Sequence, residues 1–331
     1  MADAVPFQHR MMDEVALVYG FAIRGGAATH YQSGDAITED TDYLWCHVNL
    51  ASEAGMHWIK AHAGLPPQLI STFCDKTEDD GVYPFGTGLM LAVEDRLKSF
   101  GDDPLDLGPL HVWIEQKRII TARWHPLAAP DRLRFRLQVG SAPKSPAGLA
   151  IELLDEIVTD LENIGRKTVT QIDILEDRVL ESNTMGIAAE IGAARRQVIR
   201  LRRQVLPLRQ VIAKAAAELP SWAHADENAR IDSLLSRIEH IGGEVVEAQE
   251  QARVLQDESS ARAAERTNNS MYILTLFTVI ILPLNLITGF FGMNVQGLPG
   301  VGVDGGFEAV GVGMILTLVI TVAFFKFKRW F

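Results

Sequence analysis

Cysteine is scarce in this sequence. Only Cys46 and Cys74 occur in 331 residues, far apart and with no C-x-x-C pair, which excludes a disulfide-stapled secreted scaffold and points to a reducing compartment. No G-x-S-x-G, P-loop, dinucleotide-binding glycine fingerprint or H-E-x-x-H is present, so nothing supports an enzyme. A secretory leader is not expected, because the first 24 residues include Asp3, Asp13 and Glu14 and lack a clean apolar core. Histidine and cysteine both stop at His240. Charge is the last scarcity, and it is local. The chain has 31 basic and 42 acidic residues, yet after residue 270 only Asp304, Glu308, Lys326, Lys328 and Arg329 are charged.

An acidic body is therefore joined to an apolar tail. Residues 271–291 carry no charge, and at 1.5 Å per residue they make about 30 Å of helix, the thickness of a bilayer core. A second run, 309–325, ends at Lys326 with Phe324, Phe325 and Phe327 near its exit. A soluble core hairpin is excluded because nothing remains in the sequence to bury two such runs. Arg262 and Arg266 precede the first run, Lys326, Lys328 and Arg329 follow the second, and residues 294–308 between them hold no Lys or Arg. The positive-inside rule then places both termini in the cytoplasm and gives a two-span membrane protein.

The body reads as an α/β or α+β cytosolic domain over residues 1–145. Strands are expected at 15–24, 43–50, 87–94, 111–115 and 119–124, and short helices at 52–63, capped by Ser52, and 66–75. Pro143, Pro146 and Gly148 mark a linker. From residue 150 apolar residues recur three or four apart, from Ile151 and Leu154 to Leu175 and Val179. A break at 182–186 precedes a second helix over 187–219 that holds Pro207, a kink site. A third pattern starts near Asp226 and meets no proline before Pro283. One helix over 226–291 is expected, a stalk that continues into the membrane. The long helices and stalk occupy 146–270, and the two-helix membrane domain 271–331.

Candidate chemistry is sparse. Arg195, Arg196, Arg200, Arg202, Arg203 and Arg209 form a basic stretch, but the preceding helix is acidic and could match it, so a solvated or paired helix face is preferred over a nucleic-acid partner. The histidines lack zinc-site spacing: His57 and His62 are five apart, off a shared helix face, and Cys46 and His47 point to opposite faces of a strand. The first span says more. On a helical wheel its one amide, Asn285, falls on a stripe with Met271, Leu274, Thr278, Leu282, Gly289 and Gly292. An amide in hydrocarbon is costly unless it faces protein or water. Spacing alone leaves two readings open, an aqueous path or helix–helix packing. Two helices cannot enclose a pore, so either reading requires a homo-oligomer in the lipid bilayer.

The stripe runs into Gly292-Met293-Asn294. With LPLNLITGFFGMN closing the first span, LHVWIEQKRIITARW and LRRQVLPLRQVI upstream, and a basic C-terminus, the chain resembles the CorA superfamily of divalent-cation transporters along essentially its whole length. The loop Asn294-Val295-Gln296-Gly297-Leu298-Pro299-Gly300 resembles the ZntB branch, associated with zinc, whereas Met293 leans toward the magnesium pattern. The resemblance implies a funnel-shaped homopentamer in a bacterial inner membrane, with no bound cofactor and a divalent cation, Zn²⁺ or else Mg²⁺ or Co²⁺, as transported substrate. It places Gly292, Met293 and Asn294 at the ion entrance, and Met271, Leu274, Thr278, Leu282, Asn285 and Gly289 along the pore. It also puts Asp257, with Glu258 and Glu265 nearby, where a cytosolic regulatory carboxylate is expected. Asp304 and Glu308 are candidates for concentrating cations at the mouth. A membrane-anchored metal sensor is the second functional class.

Overall fold

Runs of Val, Ile, Leu and aromatic residues that are buried on both sides favour strands inside a covered sheet. In the computed structural model, which describes residues 16–32, 40–77, 80–98, 105–180, 186–293 and 304–327, seven such strands form one sheet. They are β1 (Leu17–Arg24), β2 (Ala27–His30), β3 (Tyr43–Asn49), β4 (Gly81–Phe85), β5 (Gly88–Arg96), β6 (Leu107–Glu115) and β7 (Arg118–Arg123). The spatial order is β2-β1-β3-β7-β6-β5-β4, with β3 and β7 parallel and every other neighbouring pair antiparallel.

Alternation along the strands builds two cores. Trp45, Leu91, Val112 and Ile119 face one side, while Cys46, Met90, Trp113 and Ile120 face the other. The second side is covered by α1 (Glu53–Ala61) and α2 (Pro67–Phe73) through Trp58, Ile59, Leu69 and Phe73. As expected, Ser52 caps α1, its Oγ accepting the Gly55 N–H at 3.1 Å. The first side is covered by α3 (Ala128–Val139), α4 (Pro146–Leu180), α5 (Ile187–Ala217) and the start of α6 (Ala225–Phe291). Each Leu or Ile fully buried there contributes roughly 1.5–3 kcal/mol.

Three sequence expectations change. The edge strands β2 and β4 and the helix α3 appear where none was read. The linker inferred around Pro143 and Pro146 is instead the start of α4. Pro146 occupies the first helical position, and Ser145 Oγ accepts the Gly148 N–H at 3.0 Å. Ser145 in turn donates to buried Glu227 of α6, whose other oxygen accepts the His224 N–H at 2.8 Å. Pro207 lies inside α5, as expected. Three of the α5 arginines meet α6 rather than acidic α4: Arg209 pairs with Glu239 at 2.8 Å, and Arg202 and Arg195 donate to Gln249 and Gln256, while Arg200 donates to Leu105 O at 2.9 Å. The α4 carboxylates are served by others, Glu156 by Arg132 at 2.6 Å and Asp155 by Arg237.

The chain separates into two compact units, Met1–Gln256 and Asp257–Phe331, and α6 contributes to each. α6 is 67 residues long, about 100 Å at helical rise. The second unit also holds α7 (Gly306–Phe327).

Candidate functional site

Two helices, α6 and α7, are long and apolar enough to cross a membrane. Within its apolar span the half-buried positions of α6 are Leu276, Val279, Ile280, Pro283, Leu284, Ile287 and Phe291, spaced as one helical face. On α7 they include Val310, Met314, Thr317 and Thr321, again one face, which ends at buried Phe325. No other described element belongs to the second unit, and we infer that the two helices cover each other by these faces.

The amide-bearing stripe lies elsewhere. At about 100° per residue, Met271, Leu274, Thr278, Leu282, Asn285 and Gly289 centre on the side of α6 opposite its half-buried face, and all six are exposed. Met271, Leu274 and Leu282 are 62%, 67% and 66% exposed, apolar surface left for lipid or another copy of the chain to cover. Packing against the chain's own second span therefore does not account for the stripe. A Cβ added at Gly289 would meet nothing within 4 Å, so that side is open.

The hydroxyl on the stripe is set up as an acceptor. The Thr278 hydroxyl donates to the Leu274 carbonyl at 2.8 Å, which commits its hydrogen and leaves oxygen lone pairs outward. Pro283 has no N–H to give the carbonyl one turn back, but it sits on the covered face. Gly292 ends the helix, its N–H donating to Thr288 O at 2.9 Å; a Cβ there would come within 2.9 Å of that same oxygen. Met293 is exposed, and Asn294 lies outside the described residues.

The other predicted residues are more dispersed. Asp304 and Glu308 are exposed, and Glu308 lies in the first turn of α7, where a carboxylate also complements the helix dipole. Glu258 pairs with Arg262 at 2.6 Å, while Asp257 and Glu265 are exposed on α6. Among the described residues no group of three or more His, Cys, Asp or Glu side chains could hold a metal ion. A site at Asp257 would need another copy of the chain.

In the sheet domain, Cys46 and His47 do face opposite sides. Burial pushes the Cys46 thiol up to about 12, which makes it inert. His47 stacks on Tyr19 with ring centroids 4.7 Å apart, approaches Thr121 Oγ1 at 2.7 Å and accepts from Arg123 at 3.0 Å. Burial, then Arg123 and Arg134, hold its pKa well below the ordinary value, so it is a neutral structural histidine. His57 and His62 correct the sequence reading. Their rings meet, with centroids 5.9 Å apart, because α1 stops at Ala61 and His62 is no longer helical. Gly64, with φ 59°, is the sequence signal that marks this stop.

The whole arrangement has known counterparts. A family model described as CorA-like Mg2+ transporter protein matches residues 40–329. The zinc transport protein ZntB of Yersinia enterocolitica is 26% identical over 316 residues, 95% of this chain and 95% of that protein. The divalent cation transporter CmaX of Pseudomonas aeruginosa is 26% identical over 326 residues, 96% of this chain and 98% of its own. The solved structure of full-length CmaX superposes with a TM-score of 0.82 at 24% identity, covering 96% of this chain and 99% of that one. A sheet domain, one very long helix, two membrane-length helices and a family match over most of the sequence lead to one assignment: the chain belongs to the CorA-like family of divalent-cation transporters, and a metal ion is its transported substrate.

Proposed function

We propose that copies of this chain assemble as a homopentamer in the inner membrane, with their α6 helices around a central aqueous path for a hydrated divalent cation, most favourably Zn²⁺. The observation that carries this reading is the exposed stripe of α6 on the side away from α7. In hydrocarbon, Asn285 and the Thr278 oxygen would be costly, whereas around a wet axis they replace or hold waters of the ion's shell. Leu274, Leu282 and Met271 form hydrophobic constrictions between these polar rings, and Gly289 keeps the path wide. Gly292, Met293 and Asn294 form the outer mouth, and Asp304 and Glu308 raise the local cation concentration there. Asp257, Glu258 and Glu265 are the candidate regulatory carboxylates of the stalk. Arg262, Arg266 and Lys326 flank the spans and support cytoplasmic termini. Residues 1–145, 146–270 and 271–331 serve as cytosolic, stalk and membrane parts.

Zn²⁺ is supported by the likeness to proteins named for zinc transport. A Mg²⁺ or Co²⁺ channel is the second reading, favoured by a stripe that offers amide and hydroxyl oxygens and no imidazole, thiolate or carboxylate. Uptake of Zn²⁺ and Mg²⁺ into liposomes containing the purified protein, with and without a pH gradient, separates them. Zn²⁺ uptake exceeding Mg²⁺ uptake is expected. The reverse order selects the second reading, and no flux of either ion would overturn both.

A further inference from the structure

We propose a transition-metal site on the sheet domain, built from the two imidazoles of His57 and His62. Its basis is the way α1 ends. In a straight helix, residues five apart point about 140° from each other. Here Trp58 O accepts both the His62 N–H at 2.8 Å and the Ala63 N–H at 3.0 Å. His62 leaves the helix with φ −124°, and Gly64 reverses the chain in the left-handed region. The turn brings the His62 ring back beside that of His57, at 5.9 Å between centroids and 65° between planes. Two imidazoles bound to one Zn²⁺ at about 2.0–2.1 Å and a tetrahedral angle hold their centroids at about 5–5.5 Å. Both residues are exposed, so their side chains are free to rotate toward a shared ion.

Lys60 lies in the last turn of α1, and the Arg118 guanidinium donates to the carbonyls of Ala63 and Gly64. Arg118 is itself paired with Glu115 at 2.6 Å, and charge at this turn does not discriminate one divalent ion from another, so the donor atoms decide. Nitrogen donors favour Zn²⁺, Cu²⁺ or Ni²⁺ and offer little to Mg²⁺. With no third protein ligand among the described residues, water completes the shell, and the site binds more weakly than a closed structural zinc site. It is distinct from the transport path, whose stripe contains no imidazole.

The test uses the full-length protein in detergent with Cu²⁺ as probe, read by electron paramagnetic resonance, and Zn²⁺ as competitor. The wild type should give a spectrum with two coordinated imidazole nitrogens, displaced by Zn²⁺ and untouched by excess Mg²⁺. His57→Ala and His62→Ala should each reduce it to at most one nitrogen. Each should also weaken Zn²⁺ competition by at least the roughly 10-fold that even an outer-shell partner is worth. Both side chains are exposed, so the variants fold, and an unchanged circular dichroism spectrum checks this. A two-nitrogen spectrum that persists in either variant, or that is absent from the wild type, overturns the site.

Discussion

Asn285 is the residue on which the proposed transport path rests most heavily. It is exposed on α6 on the side away from α7, within a span that has no other side-chain amide. Asn285→Leu keeps helix propensity and removes the polar ring, so per-oligomer flux should fall at least ~10-fold while size-exclusion chromatography shows the same oligomer. Disassembly with little change in per-oligomer flux would instead make the amide a packing group. A second residue-scale prediction concerns Asp95, 1% exposed, whose carboxylate accepts N–H bonds from Ala129 at 2.8 Å and Arg96 at 2.7 Å. Burial outweighs those bonds and pushes its pKa up to about 7. Because the folded value exceeds the unfolded one, near 4, the folded state holds the proton more tightly. The stability Asp95 contributes is thus complete below about pH 4 and is lost as pH rises through about 7. The difference in melting temperature between wild type and Asp95→Asn should change across that window; a flat difference would contradict the shift. The Asn285 stripe was legible because its spacing and its single amide are properties of sequence. Asp95 was not, since nothing local shows that a strand carboxylate will meet the start of α3 from 34 positions away.

At the scale of elements, the joint between α4 and α6 is tight. A Cβ on Gly148 would lie 2.8 Å from Glu227 Oε1 and 3.1 Å from Pro143 Cβ, against a carboxylate already engaged by Ser145 and the His224 N–H. Gly148→Ala should therefore destabilise the protein by about 1–3 kcal/mol, measured as a lowered denaturation midpoint, although alanine is the better helix former. A neutral or stabilising outcome would show that the joint yields. The long helices were readable from their periodicity, and the expected stretch 226–291 differs from α6 by one residue at its start. Failures were confined to short elements. β2 is only four residues long, yet the Gly25-Gly26 pair before it, both at positive φ, is a strong hairpin signal that went unused. α3 was missed because its sequence, Ala128–Val139, has little helical periodicity and is held by tertiary contacts, with Leu133 and Leu137 buried under the sheet. The proline-rich stretch before α4 illustrates the opposite error: Ser145-Pro146 is a helix start, which composition alone confuses with a linker.

For the whole molecule, the division of charge between an acidic body and an apolar tail announced a membrane protein before any fold was considered. The family assignment agrees with that reading. Assembly was not legible in the same way, because a single chain's sequence encodes the exposed stripe but not how many copies share it. The central claim is that the amide-bearing side of α6 faces water while the α7-facing side does not. Its most direct test is reactivity with a hydrophilic thiol reagent in membranes, scanned by single cysteines after replacing Cys46 and Cys74 with alanine. Thr278→Cys, Leu282→Cys, Asn285→Cys and Gly289→Cys should react, and Val279→Cys and Ile287→Cys should stay silent. Reaction confined to the latter pair, or to no position at all, would contradict the account.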